Sequence, residues 1–148
     1  MTALAVTLAE AVLDAVNDAD LSLEFTATRA YVPKFDQSVD GIQIKVVPAS
    51  DPREPGTAGT DECATVVHVG VFKRLGDDVA DELDEIDALL AFCEEIRAVL
   101  NRSRPADGVD AVCSLIVQEP IVDQKTLDES RAFLSVLACT FTGSVEVS

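Results

Sequence analysis

The stretch SRAFLSVLACTFTG, Ser130 to Gly143, constrains the fold more than any other part of the chain. Its composition favours a strand. Phe133, Leu137, Cys139 and Phe141 fall on one face, and Ala132, Leu134, Val136 and Ala138 on the other. Side chains two apart share a face of a strand, so a sheet with one wet side alternates polar and apolar residues. This strand does not, and both its faces need a cover. A helix layer supplies one. The second then calls for another chain or a curl of the sheet onto itself, because an apolar face of that size is an association site. The small Ala132 and Ala138 leave close helix packing open as another reading, with the subunit contact then falling in the long loop described below.

The remaining pattern supplies the helices. Leu4, Leu8 and Val12 recur every four residues, with Leu13 and Val16 beside them, and predict a helix over about 3–17. LEFTATRAYVP, Leu23 to Pro33, predicts a strand. IQIKVVP, Ile42 to Pro48, predicts a one-sided strand, expected to pair antiparallel with it. CATVVHVGVFKRL continues the sheet. Gly76 to Arg104 holds the clearest helix, with Leu83, Ile86, Leu90 and Cys93 on one stripe and Leu89, Phe92, Ile96 and Leu100 beside it. Seven acids lie between Asp77 and Asp87, and Arg97, Arg102 and Arg104 lie at the other end, the polarity that a helix dipole favours. VCSLIVQEP predicts a short strand. Asp123 or Thr126 caps a short helix in the connector before the opening strand, and 144–148 is expected to fray.

Between the second and third strands, PASDPREPGTAGTDE, about 48–62, is rich in proline, glycine and polar residues and predicts a long, exposed, mobile loop. Loops of that length inside compact domains are uncommon and often functional. Strands adjoin strands in this order. The expected fold is therefore a single α+β domain, 1–148, with a mostly antiparallel sheet of about four to five strands and two main helices on one face. A chain of 148 residues buries roughly 70% of its unfolded surface, enough for one core without staples.

Charge narrows the function. With 27 acids against 11 bases, the formal net charge is −16. Nonspecific nucleic-acid binding needs Lys and Arg to displace counterions, and docking on anionic membranes needs them too. The acidity fits either a salty environment or a surface that DNA passes without sticking. The N-terminus lacks the basic start of a signal peptide, and no apolar run reaches the roughly 18 residues of a membrane span, so a cytoplasmic, membrane-free protein is expected. Cys63, Cys93, Cys113 and Cys139 form no C-x-x-C pair and lie in apolar stretches, as buried thiols do.

Chemistry-bearing motifs are sparse. His68, the one histidine, lies mid-strand among valines, with no partner identifiable in the sequence. A half-buried, satisfied histidine is the plainer reading. Asp77, Asp78, Asp81, Glu82, Asp84, Glu85 and Asp87 lack the spacing of a calcium loop. No phosphate-binding glycine loop or nucleophile elbow occurs. Neither catalysis nor a cofactor is expected.

Three segments carry a family resemblance over about Ala5 to Gly143. The first is GIQIKVVPASDPREPGTAGTDECATVVHVGVF, with its strand ending at Pro48, long loop and return strand. The second is DEIDALLAFCEEIRAVL. The third is EPIVDQKTLDESRAFLSVLACTFTG, marked by Pro120, Asp123, Leu127, Phe133, Ser135, Leu137 and Phe141. Together they resemble the tail terminator proteins of long-tailed bacteriophages, also called tail completion or minor tail proteins. Val122 departs from the pattern, standing where the family often has an aromatic residue.

The resemblance implies a homohexameric ring that caps the tail tube, stops its growth and presents a surface to the head connector. DNA would pass through the ring without being specifically bound, and the protein would reside in the virion after assembly in the host cytoplasm. Its partners would be further copies of itself, the tail tube protein and a head completion protein. Six copies would carry a formal −96, some of it lining the lumen. Candidate interface residues are Asp51, Arg53, Glu54 and Pro55 in the loop and Leu134, Val136 and Ala138 on the last strand. Other readings are a head–tail joining protein of similar fold, an acidic binding module that mimics DNA, and a small enzyme working through His68.

Overall fold

A computed structural model describes residues 3–57, 59–101, 103 and 110–146. The fold is α+β, a six-stranded, mostly antiparallel sheet with its helices on one face. In chain order the elements are α1 (Leu4–Asp18), β1 (Phe25–Arg29), β2 (Ile42–Ser50), β3 (Arg53–Pro55), β4 (Thr60–Arg74), α2 (Glu82–Leu100), β5 (Asp110–Gln118), α3 (Gln124–Ser130) and β6 (Ala132–Glu146). The strands run β1-β2-β4-β6-β5, with β3 on β4 where β2 has ended. The turn-rich break expected at 105–109, and Arg102 and Arg104, lie outside the described residues.

The strand that opened the sequence problem is β6, at the centre of the fold between β4 and β5. Its odd-numbered residues Phe133, Ser135, Leu137, Cys139 and Phe141 are fully buried under the helices. They lie beside Val71, Val69, Val67 and Thr65 of β4, in register with Ser135, Leu137, Cys139 and Phe141. Leu8, Val12 and Val16 of α1 and Leu89, Phe92, Ile96 and Leu100 of α2 close the core from above. Burying each of these large side chains contributes about 1.5–3 kcal/mol, so this layer holds most of the stability.

Four expectations are corrected. First, β1 pairs with β2 in parallel, Phe25 opposite Ile42 and Arg29 opposite Val46. Parallel neighbours need a crossover of about a dozen residues, and 30–41 supplies one without a helix. Within it the backbone turns at Gln37–Ser38 and bends at Gly41 just before β2, with no hairpin turn. Second, the 48–62 segment is not a structureless loop. β2 runs on to Ser50, β3 pairs Arg53 with Cys63 and Pro55 with Asp61, and β4 begins at Thr60. Gly59, at φ 84, makes the backbone turn that a side chain would resist. Third, β6 does not fray at 144; it stays paired with β4 to Glu146, opposite Thr60. Fourth, Leu83 leaves the core stripe and is 75% exposed, while packing on the core begins at Ile86, the next residue of the stripe.

Candidate assembly surface

The face of the sheet away from the helices is covered in one part and open in another. The cover is the β1–β2 crossover, residues 30–41, a solution that the sequence pattern did not suggest. Phe35 stacks on Phe72 with ring centroids 4.9 Å apart and planes 9° from parallel. A Cβ at Gly70 would lie 3.2 Å from the Phe35 ring, so the absence of a side chain there makes room for the aromatic. Gln43 fixes the strap further. Its Oε1 accepts from the Asp36 N–H at 2.9 Å, and its Nε2 donates to the Asp36 carbonyl at 2.7 Å. Gly70, Phe72 and Gln43 are consequently buried on a face that no helix covers.

Beyond the strap, the sheet is open. Ala138 of β6 lies opposite His68 of β4 on one side and Val117 of β5 on the other, and Thr140 lies opposite Val66 and Leu115. Leu115 is 55% exposed and Val117 40%, while Leu134, Val136 and Ala138 are half-buried. Candidate residues Leu134, Val136 and Ala138 therefore do share one helix-free face, as their alternation required. Close helix packing does not account for Ala138. Leu115 and Val117, absent from the sequence reading, belong to the same patch; a bulge at Ser114 turns them to this face. Along this face, β4 from Ala64 to Arg74 and β6 from Leu134 to Thr142 present no carboxylate. In a chain with 27 acids, a stretch of sheet without carboxylates is one that another surface would meet without repulsion between acids.

His68 sits where covered and open parts meet. With Pro33, Phe35, Val47, Gly70, Leu134 and Val136 it lines a cavity of about 120 Å³. It is half-buried, as expected; no hydrogen bond to its ring occurs among the described residues, and its ring nitrogens are not among the buried atoms left without a partner. The walls are apolar, and no carboxylate lines the cavity to orient the imidazole as a general base.

The hairpin end carries the other four interface candidates. Asp51 is engaged within the chain. Its Oδ2 accepts from Arg53 Nη2 at 2.8 Å, and its Oδ1 accepts from Thr65 Oγ1 at 2.9 Å. Burial alone raises the Asp51 carboxyl, but the hydrogen bonds from Arg53 and Thr65 and the Arg53 charge outweigh it and hold the group below its ordinary value. Arg53, Glu54 and Pro55 are exposed along β3. The structure thus places Asp51 and Arg53 together as a clasp that pins β3, at the end of the sheet where β3 pairs with Asp61–Cys63 of β4.

The signature residues have jobs inside the fold. Asp123 caps α3, accepting from the Thr126 N–H at 3.2 Å and from the Thr126 hydroxyl. Leu127 packs against the core from that helix. Pro120, after a cis peptide bond, offers its carbonyl to Val136 N–H at 3.3 Å and to Ser135 Oγ at 3.3 Å. Ser135 also accepts from Gln118 Nε2 at 2.8 Å. These residues turn the chain from β5 into β6. Phe133, Leu137 and Phe141 are core, and Pro48 is half-buried beside the bulge where β2 breaks.

All four cysteines are buried. Burial pushes the Cys93 thiol up to about 11, against a smaller lowering by its hydrogen bond with Ser135. Cys139 is raised well above its ordinary value by its hydrogen bond with Cys113 and by burial. Such thiols are poor nucleophiles at neutral pH. No family model matches the chain, and a search of curated proteins finds no match.

Proposed function

We propose that the chain is a structural assembly protein of long-tailed bacteriophages, a tail terminator. It closes as an oligomeric ring on the end of the tail tube, stops polymerisation and offers the head connector its docking surface. Two things support this reading. One is the resemblance over the three segments ending at Phe141. The other, which carries it, is the open strip around Leu115, Val117 and Ala138: apolar, with no carboxylate on β4 from Ala64 to Arg74 or on β6 from Leu134 to Thr142. A sheet face of this kind is built to be covered, and a ring contact covers it in every copy. The remaining acids, repeated around a ring, keep DNA phosphates from adhering as the genome passes.

Deleting the gene and imaging the lysate by electron microscopy tests the proposal. The expected result is overlong tail tubes beside filled, tailless heads. Tails of normal length left unjoined to heads would contradict termination and point to a joining protein instead. Normal virions would overturn any role in the neck.

A further inference from the structure

The first turns of α2 carry a second apolar surface, at the acidic end of the molecule and independent of the ring reading. Val79, in the 3-10 turn Val79–Asp81 that precedes α2, and Leu83, in the first turn of α2, are the most exposed large hydrophobic residues described, at 67% and 75%, and Ile86 follows Leu83 three residues on along the helix. Ile86 leads this stripe into a groove of about 950 Å³ between α2 and α3, with Val122 and Leu127 in its floor. Ile121, next to Val122, is 57% exposed. The start of α2 therefore exposes Leu83, with Val79 just before it, beside a groove into which Ile86, itself packed against the core, leads.

The charges around that face determine what fits. Asp78, Asp81, Asp84 and Asp87 are exposed on α2 and the turn before it, and Asp128 and Glu129 form the far wall. The groove's own cations are Lys125 and Arg131, and Arg131 is paired with Glu82 at 3.3 Å. Nucleic acid and anionic lipid are repelled. The same face of a second copy, with its own Asp78, Asp81, Asp84 and Asp87, meets the same repulsion. We infer that this face docks a basic amphipathic segment of a different protein, its apolar stripe laid on Val79, Leu83 and Ile86 and its Lys or Arg side chains on the acidic walls.

A fluorescent leucine/lysine peptide designed as an amphipathic helix, titrated by anisotropy at physiological salt, tests this. The expected result is saturable binding, with a scrambled peptide of identical composition at least about tenfold weaker. Leu83→Ser and Val79→Ser preserve the charge and lie at exposed positions, so circular dichroism should show an unchanged fold. Each should weaken binding about tenfold. No binding, equal binding of both peptides, or unchanged binding by the two variants would overturn the inference. So would sedimentation showing self-association that Leu83→Ser abolishes, since the stripe would then be a contact between copies.

Discussion

Phe35 and Gly70 are one feature divided between two residues. The ring lies flat on Phe72 because β4 has no side chain at position 70, and the strap owes its place on the sheet to that contact. Phe35→Ala should destabilise the chain by about 2 kcal/mol in urea unfolding, from a half-buried ring and its stacking. Gly70→Ala should cost about 1 kcal/mol, since the new methyl meets the ring at 3.2 Å and the ring must shift. In the double variant the two losses should fall short of their sum, because the added methyl has no ring left to meet. Full additivity would show that the strap is not seated by this pair.

At the scale of elements, the hairpin of β3 and β4 depends on Asp51. Its carboxyl is held below the ordinary value in the folded chain, so ionisation contributes stability above the unfolded value of about 3.9. That contribution is lost as pH falls through the lower folded value. Hydrogen exchange should show β3 amides losing protection on acidification before those of central β4 and β6. In Asp51→Asn this acid response should disappear, with β3 already loosened at neutral pH. An unchanged response would mean that another group pins the hairpin.

Elements also divide what the sequence makes legible. α1, most of α2, the Asp123 cap and the two faces of β6 follow from periodicity and local hydrogen bonding, and the structure has them. The direction of β1 was not legible, because it depends on where 30–41 crosses the sheet. That path rests on Phe35 meeting Gly70, residues far apart in sequence, although a glycine amid valines was a local sign of close approach. The hairpin was hidden by proline and glycine, which mark a break but not the register that resumes after it. Leu83 matched the core stripe by spacing and failed by position, since periodicity does not say where packing on the core begins. Of the candidate surface, Leu134, Val136 and Ala138 were readable from alternation. Leu115 and Val117 depended on a bulge that alternation does not reveal.

For the whole molecule, charge and apolar surface are partitioned. The acidic start of α2 exposes Leu83, with Val79 just before it, the helix side of the sheet is closed, and the opposite side keeps the apolar strip around Leu115, Val117 and Ala138. Assembly through that strip is the central claim. Its most direct test is the mass of the assembled species by native mass spectrometry, alone and with tail tubes of the encoding phage, for the unaltered chain and for Val117→Glu. Position 117 is 40% exposed, so the variant should fold as a 15.7 kDa monomer. The account predicts a closed ring for the unaltered chain, about 94 kDa if six copies assemble as the resemblance implies, at least in the presence of tubes, and no ring for Val117→Glu. A chain that stays monomeric with tubes, or a ring that Val117→Glu leaves intact, would contradict it.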